Sequence, residues 1–127
     1  MSEETFATAI NCMDGRTQDC VSRYLRERFG ARFVDTVTEP GPDGILAGSG
    51  PATQSIRDRV AISVGKHRSR GIGIVAHDGC AGNPVSRQEH ERMVRTAICV
   101  VQSWGFGIPV VGLYVAEGWD RVELIDP

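Results

Sequence analysis

Hydrophobic and polar residues follow two different periods along the chain, one typical of strands and one typical of helices. Short apolar or alternating runs predict five strands, at residues 5–12, 32–38, 71–77, 108–115 and 122–125. Apolar residues at helical spacing predict three helices, over residues 17–29, 51–67 and 86–104. The last is the best marked, because Ser86 and Glu89 form a capping box at its start. The glycine- and proline-rich stretch 39–51 is predicted to be a long loop.

The order of these elements indicates the fold class. Strands and helices alternate, which is the arrangement of a mostly parallel sheet with helices on both faces. The run 71–77 (GIGIVAH) is almost wholly apolar, as expected for a strand buried on both sides. We therefore predict an α/β fold, a mostly parallel sheet of four or five strands flanked by helices, as a single domain over residues 1–127. Ligands of such sheets bind at the carboxyl ends of the strands, near a topological switch point.

Composition and charge narrow the functional classes. Hydrophobic residues make up 41% of the chain and charged residues 24%, which is typical of a globular protein. The formal net charge of −2 gives no sign of a nucleic-acid or membrane partner. No apolar run approaches the ~20 residues that cross a bilayer. The N-terminal segment carries acids where a secretory signal needs bases, so we expect a cytoplasmic protein.

Four cysteines in a reducing compartment indicate metal binding or catalysis rather than disulfides. The motif Cys12-Met-Asp14-Gly-Arg16 closes the first predicted strand, and the motif His77-Asp-Gly-Cys80 closes the third. If these two strands are neighbours, Cys12, His77 and Cys80 converge across one inter-strand spacing of ~4.8 Å. Two thiolates and an imidazole suit Zn²⁺, and three protein ligands leave its fourth position open, as in catalytic zinc sites.

Four further residues could in principle close the site as a fourth ligand: Cys20, Cys99, His67 and His90. The two cysteines are better explained as small buried residues on helices. His67 stands near the end of a predicted helix, where its charge would favour the helix dipole. His90 has two interpretations, a proton shuttle that faces the site or, as the more frequent case, a solvated helix histidine.

The pairing of Cys-x-Asp-x-Arg with a downstream His-x-x-Cys, each at the end of a strand, resembles the β-class carbonic anhydrases. The likeness runs from the first strand to the closing segment VVGLYVAEGWDRVELID, which is similar to the last strand and hairpin of that family. The chain departs from the family where Thr38-Glu39-Pro40-Gly41 stands in place of an Arg-Asn-Ala-Gly-like segment. We interpret it as a short, minimal version of the fold.

The resemblance implies a function and a set of roles. Cys12, His77 and Cys80 would bind one Zn²⁺ per chain, and Asp14 and Arg16 would form the family's dyad. The reaction would be reversible hydration of CO₂ to bicarbonate and a proton by zinc-bound hydroxide. A homodimer or higher homo-oligomer is also implied, and covering an exposed sheet edge favours it. Because two thiolates weaken the acidification of bound water, activity is predicted to rise toward alkaline pH.

The role of Asp14 and the identity of the substrate stay open. Paired with Arg16, the Asp14 carboxylate would remain ionised and orient the nucleophile. Alternatively it could become a fourth zinc ligand and close the site, as in some members of the family. The same zinc site could also act on carbon disulfide or carbonyl sulfide. A catalytically silent zinc or thiol module is the third possibility, although such a module would have no use for the dyad.

Overall fold

Five strands and four α-helices form in the part of the chain that the computed structural model describes, residues 4–48 and 50–127. The strands are β1 (Phe6–Cys12), β2 (Phe33–Glu39), β3 (Ile72–His77), β4 (Val110–Val115) and β5 (Val122–Ile125). The helices are α1 (Gln18–Phe29), α2 (Pro42–Ala47), α3 (Pro51–His67) and α4 (Arg87–Gln102), and a 3₁₀ turn (Gly15–Thr17) precedes α1. No helix in these two ranges is both long enough and apolar enough to span a membrane.

The strands form one sheet in the order β2-β1-β3-β4-β5. The first four are parallel and β5 is antiparallel to β4, which confirms the predicted mostly parallel sheet. In this order β2 lies on one side of β1, and β3 and β4 lie on the other side. The switch point therefore lies between the carboxyl ends of β1 and β3, the two strands that carry the predicted motifs.

Helices cover both faces of the sheet. On one face, α1 buries Val21 and Leu25 against alanine, valine and leucine side chains of β1, β3 and β4. On the other face, α3 and α4 pack on the opposite side chains of the same strands, with Val60 and Val94 fully buried. The two apolar clusters hold the central strands between them, so the strand ends that carry the motifs have fixed positions.

The predicted loop 39–51 is only partly a loop, because α2 occupies Pro42–Ala47 within it. Pro42 begins this helix at a position where the missing N–H of proline is not needed. Leu46 is fully buried in the core and anchors the helix. Three glycines around this short apolar segment concealed the helix in the sequence. The predicted start of α4 is confirmed, since Glu89 N donates to Ser86 Oγ at 3.2 Å.

Two glycines allow a matched test of this packing. A Cβ on Gly112 of β4 would lie 2.5 Å from Val94 Cγ1 and 3.1 Å from Ile98 Cδ1, whereas a Cβ on exposed Gly65 of α3 would meet nothing within 4 Å. We expect Gly112→Ala to lower the free energy of unfolding by ~1–3 kcal/mol through overpacking. Gly65→Ala should raise it by ~0.5–1 kcal/mol, because alanine favours helices. Urea unfolding measures both, and equal effects would contradict the described contact of α4 with β4.

Candidate metal centre

Three metal-ligating side chains meet at the switch point of the sheet. Cys12 is the last residue of β1, His77 is the last residue of β3, and Cys80 lies in the loop that follows. All three are buried, and their candidate ligand atoms lie within 4.8 Å of one another. In the described ranges they form the one such group of three or more residues. The predicted convergence is therefore present, because β1 and β3 are neighbours.

The geometry of this group fits a tetrahedral zinc ion. The two sulfur atoms are 3.9 Å apart, and two ligands at ~2.3 Å from a tetrahedral Zn²⁺ would be ~3.8 Å apart. His77 Nδ1 lies 2.8 Å from the Asp78 carbonyl oxygen, to which it can donate. That bond would leave Nε2 with its lone pair free, and within the described residues this buried atom has no hydrogen-bond partner. A metal ion would satisfy it.

The electrostatics of the thiols also favour a cation. Burial raises the pKa of Cys80 to about 11, and the nearby Cys12 contributes in the same direction. The backbone N–H groups of Gly82 and Asn83 oppose this rise. Since the thiolate is the form that binds metals, the Cys80 sulfur needs a nearby positive charge to become a ligand at neutral pH. A divalent cation would supply it.

Asp14 and Arg16 form an ion pair beside the group. Arg16 Nε donates to Asp14 Oδ1 at 3.1 Å, and Arg16 Nη2 donates to Oδ2 at 2.8 Å. The backbone N–H of Arg16 also donates to Oδ1, at 2.9 Å. These bonds, the side-chain pair above all, lower the pKa of Asp14 to about 2. The carboxylate is thus ionised at neutral pH, and Oδ2, with two lone pairs and one bond from Arg16, can accept a second hydrogen bond.

Polar residues at the start of α1 hold the turn that carries this pair. Gln18 Nε2 donates to the carbonyl oxygens of Cys12 and Asp14, at 2.8 and 2.9 Å. Thr17 Oγ1 donates to the Asp14 carbonyl at 2.9 Å and to Asn11 Oδ1 at 3.1 Å. The bonds to Cys12 and Asn11 join the end of β1 to the start of α1, and the two bonds to Asp14 close the turn between them. The spacing of Cys12 and Asp14 is therefore fixed by the local sequence.

Trp119 is a site residue that sequence reasoning missed. Its ring centroid lies 4.1 Å from the Arg16 guanidinium carbon, and the ring makes an edge contact with His77, with ring centroids 6.0 Å apart. The residue has a φ of 61°, which is uncommon for a bulky side chain and carries a conformational cost. Trp119 thus packs against both the dyad and a candidate ligand. No spacing rule connects it to either motif, because it follows β4 in a separate turn.

The four residues considered as a fourth ligand lie outside the group. Cys20 is buried on α1 as predicted, but Cys99 is exposed, so its predicted burial is wrong. His67, the last residue of α3, lies with Nδ1 2.7 Å from Asp35 Oδ2 and stacks on Phe6.

Both interpretations of His90 are wrong, because the side chain is neither solvated nor open to the site mouth. It is 1% exposed and paired with Asp43. The helical spacing of the buried residues Val94, Ala97 and Val101 places His90 on the same stripe of α4, and this signal could have found it.

A sheet of this order with a Cys-His-Cys group at its switch point defines the structural class of the β-carbonic anhydrases. Solved structures of that class share the fold. A carbonic anhydrase from Streptococcus mutans superposes with a TM-score of 0.67 at 16% identity, covering 97% of this chain and 82% of that one. The β-carbonic anhydrase of Aspergillus fumigatus superposes at 0.58 with 17% identity, covering 97% and 76%. Tetrameric β-carbonic anhydrases from Sordaria macrospora superpose at 0.59 with 13% identity, covering 99% and 83%.

The sequence itself gives a narrower assignment. Residues 2–126 match the model of the protein family described as "Putative carbonic anhydrase". The chain therefore belongs to this family, which confirms the resemblance seen in its two motifs. No curated protein sequence matches the chain.

Proposed function

We propose that this protein is a zinc-dependent carbonic anhydrase that reversibly hydrates CO₂ to bicarbonate and a proton, with residues 1–127 acting as one domain. The observation that supports this most directly is the buried group of Cys12, His77 and Cys80 with the Asp14–Arg16 ion pair beside it. Three ligands suit a catalytic zinc, which keeps a position open for water or substrate. A purely structural zinc would have no use for Asp14 and Arg16.

In this proposal each residue has a definite task. Cys12, His77 and Cys80 would hold the metal, and Zn²⁺ when bound supplies the Lewis acidity that lowers the pKa of water toward neutral. The free lone pair on Asp14 Oδ2 would accept a hydrogen bond from the reacting water and orient it. Arg16 would hold that carboxylate in one position and keep it ionised. The structure pairs Asp14 with Arg16, which favours the orienting role over that of a fourth zinc ligand.

Metal content and substrate together test this function. We expect purified protein to contain one Zn²⁺ per chain and to hydrate CO₂ in a stopped-flow assay. Sulfide release from carbon disulfide or carbonyl sulfide, with no CO₂ hydration, would show that the zinc site acts on the alternative substrates and not on CO₂. Bound zinc without turnover of any of the three would indicate a silent zinc or thiol module. Each outcome leaves a different one of the three functions standing.

A homodimer or higher homo-oligomer is part of the same proposal. The edge strands β2 and β5 present large apolar side chains, since Phe33 is 41% exposed and Leu124 is 45% exposed. Pairing these edges with a second copy would cover them. The Sordaria macrospora relatives are tetrameric. Light scattering would give the number of chains per particle, and a monomer would contradict this part of the proposal. The cytoplasmic location stays a prediction.

A further inference from the structure

A buried, closely paired histidine and aspartate join α2 to α4. His90 Nδ1 lies 2.6 Å from Asp43 Oδ2, and both side chains are 1% exposed. Burying a carboxylate is costly unless it is paired and hydrogen-bonded. The other ring nitrogen of His90, Nε2, is buried without a hydrogen-bond partner among the described residues, which adds to the cost. The proposed reaction uses neither residue, so the pair calls for another explanation.

The second carboxylate oxygen of Asp43 connects this pair to the loop that carries Cys80 of the candidate metal centre. Asp43 Oδ1 accepts a hydrogen bond from Asn83 Nδ2 at 3.1 Å. Asn83 lies in the loop between β3 and α4, the loop that carries Cys80. A continuous chain of side-chain contacts thus runs from His90 through Asp43 to Asn83, which follows the candidate ligand Cys80 by three residues in the same loop.

Close backbone packing reinforces the same connection. A Cβ on Gly82 would lie 2.5 Å from the Pro40 carbonyl carbon, and a Cβ on Gly41 would lie 2.7 Å from Asn83 Cβ. Gly41 also has a φ of 67°, which favours glycine. The segment before α2 and the Cys80 loop therefore pack so closely that neither Gly41 nor Gly82 has room for a Cβ. This segment is the one that departs from the Arg-Asn-Ala-Gly-like pattern of the family.

We propose that Asp43 is a positioning residue that, through Asn83, holds the Cys80 loop in the geometry that the metal requires, and that His90 holds Asp43. The inference rests on the metal centre of the proposed function. Without the hydrogen bond between Asp43 and Asn83, the loop would have more conformations. Metal binding would then have to order the loop, at a cost in affinity. Groups that orient metal ligands in this way change metal affinity by ~10–100-fold when they are removed.

Asn83→Ala removes the hydrogen bond to Asp43 with little risk to the fold, because alanine keeps the Cβ that packs on Gly41 and loses only the amide. Ser63→Ala is the matched control. Ser63 is buried on α3 and makes side-chain hydrogen bonds of 2.7 Å to Thr8 and to Asp35, away from the Cys80 loop. We expect Asn83→Ala to weaken Co²⁺ and Zn²⁺ binding ~10–100-fold in competition with a chromophoric chelator, and Ser63→Ala to change it less than ~3-fold.

Two further readouts separate positioning from general stability. In the metal-free protein, amide hydrogen exchange in the segment 79–85 should be faster in Asn83→Ala than in the native chain, and unchanged in Ser63→Ala. The thiolate-to-cobalt absorption band should weaken at equal metal loading.

His90→Gln keeps a side-chain amide that can donate to Asp43, so it should retain more metal affinity than His90→Leu. Metal affinity and exchange in Asn83→Ala within ~2-fold of native would overturn the proposal.

These measurements also distinguish this inference from the proposed function. If the native chain binds Co²⁺ but hydrates no CO₂, and Asn83→Ala still loses metal affinity, the proposed function is wrong and the positioning role is supported. If the native chain is active and Asn83→Ala binds metal normally, the positioning role falls alone. A native chain that binds neither ion overturns both.

Discussion

Cys80→Ser should lose its metal and more than about 100-fold of its CO₂ hydration activity. A serine hydroxyl stays protonated at neutral pH and is a poor ligand for Zn²⁺, whereas a thiolate is among its best. Removing a residue that only orients a ligand costs ~10–100-fold in affinity or activity, so removing the ligand itself should cost more. Zinc content by atomic absorption and initial rates by stopped flow measure the two losses.

Cys99→Ser is the matched control for that change. It makes the same substitution of oxygen for sulfur, but at an exposed position on α4, outside the candidate metal centre. We expect full zinc content and native activity. If Cys80→Ser retained one zinc per chain and native activity, Cys80 would not be a metal ligand and the Cys-His-Cys centre would be wrong.

Much of the candidate centre was predictable from the sequence because its residues lie at strand ends. The apolar runs that become β1 and β3 are recognisable without any tertiary information, and Cys12 and His77 are their last residues. Strand alternation with helices then implies a parallel sheet, whose carboxyl ends meet at one edge. The remaining condition was that β1 and β3 be neighbours, and the observed sheet order satisfies it. Local pattern and a topological rule were sufficient here.

The parts that escaped prediction depend on contacts between remote segments. Asp43 and His90 are 47 positions apart, and nothing in either local sequence shows that they pair. An aspartate is usually exposed and a histidine is intermediate in burial, so the complete burial of this pair is visible only once α2 and α4 are packed together. Trp119 reaches Arg16 in the same way, from a turn after β4.

The error at Cys99 has a different origin. The buried stripe of α4 includes Ala97, Ile98 and Val101, and Cys99 points away from it. Helical phase, applied residue by residue, would have placed this side chain in solvent. The general tendency of cysteine to be buried was the weaker of the two signals.

Asp14→Ala should lower CO₂ hydration by ~100-fold while zinc content stays at the native level. The carboxylate is not needed to hold the metal, because Cys12, His77 and Cys80 form the group of close ligand atoms. Its loss would leave the reacting water without an oriented acceptor, and misplacing a reacting group or losing a positioned proton acceptor typically costs about this factor. Asp14 also accepts from the Arg16 backbone at the start of the 3₁₀ turn, so unfolding should be measured in parallel.

Arg16 variants show which of its two possible roles Asp14 takes. Arg16→Ala removes the side-chain hydrogen bonds that fix the carboxylate, and we expect activity to fall because Asp14 is then free to reach the open metal position. The cobalt spectrum should shift as an oxygen ligand enters, with no loss of metal. Arg16→Lys keeps the charge but loses the two-point contact, so it should be intermediate. Asp19→Asn, an exposed carboxylate in the first turn of α1, serves as the control and should be unaffected. Native activity in Arg16→Ala would show that the observed ion pair stabilises the turn and has no part in orienting the reacting water.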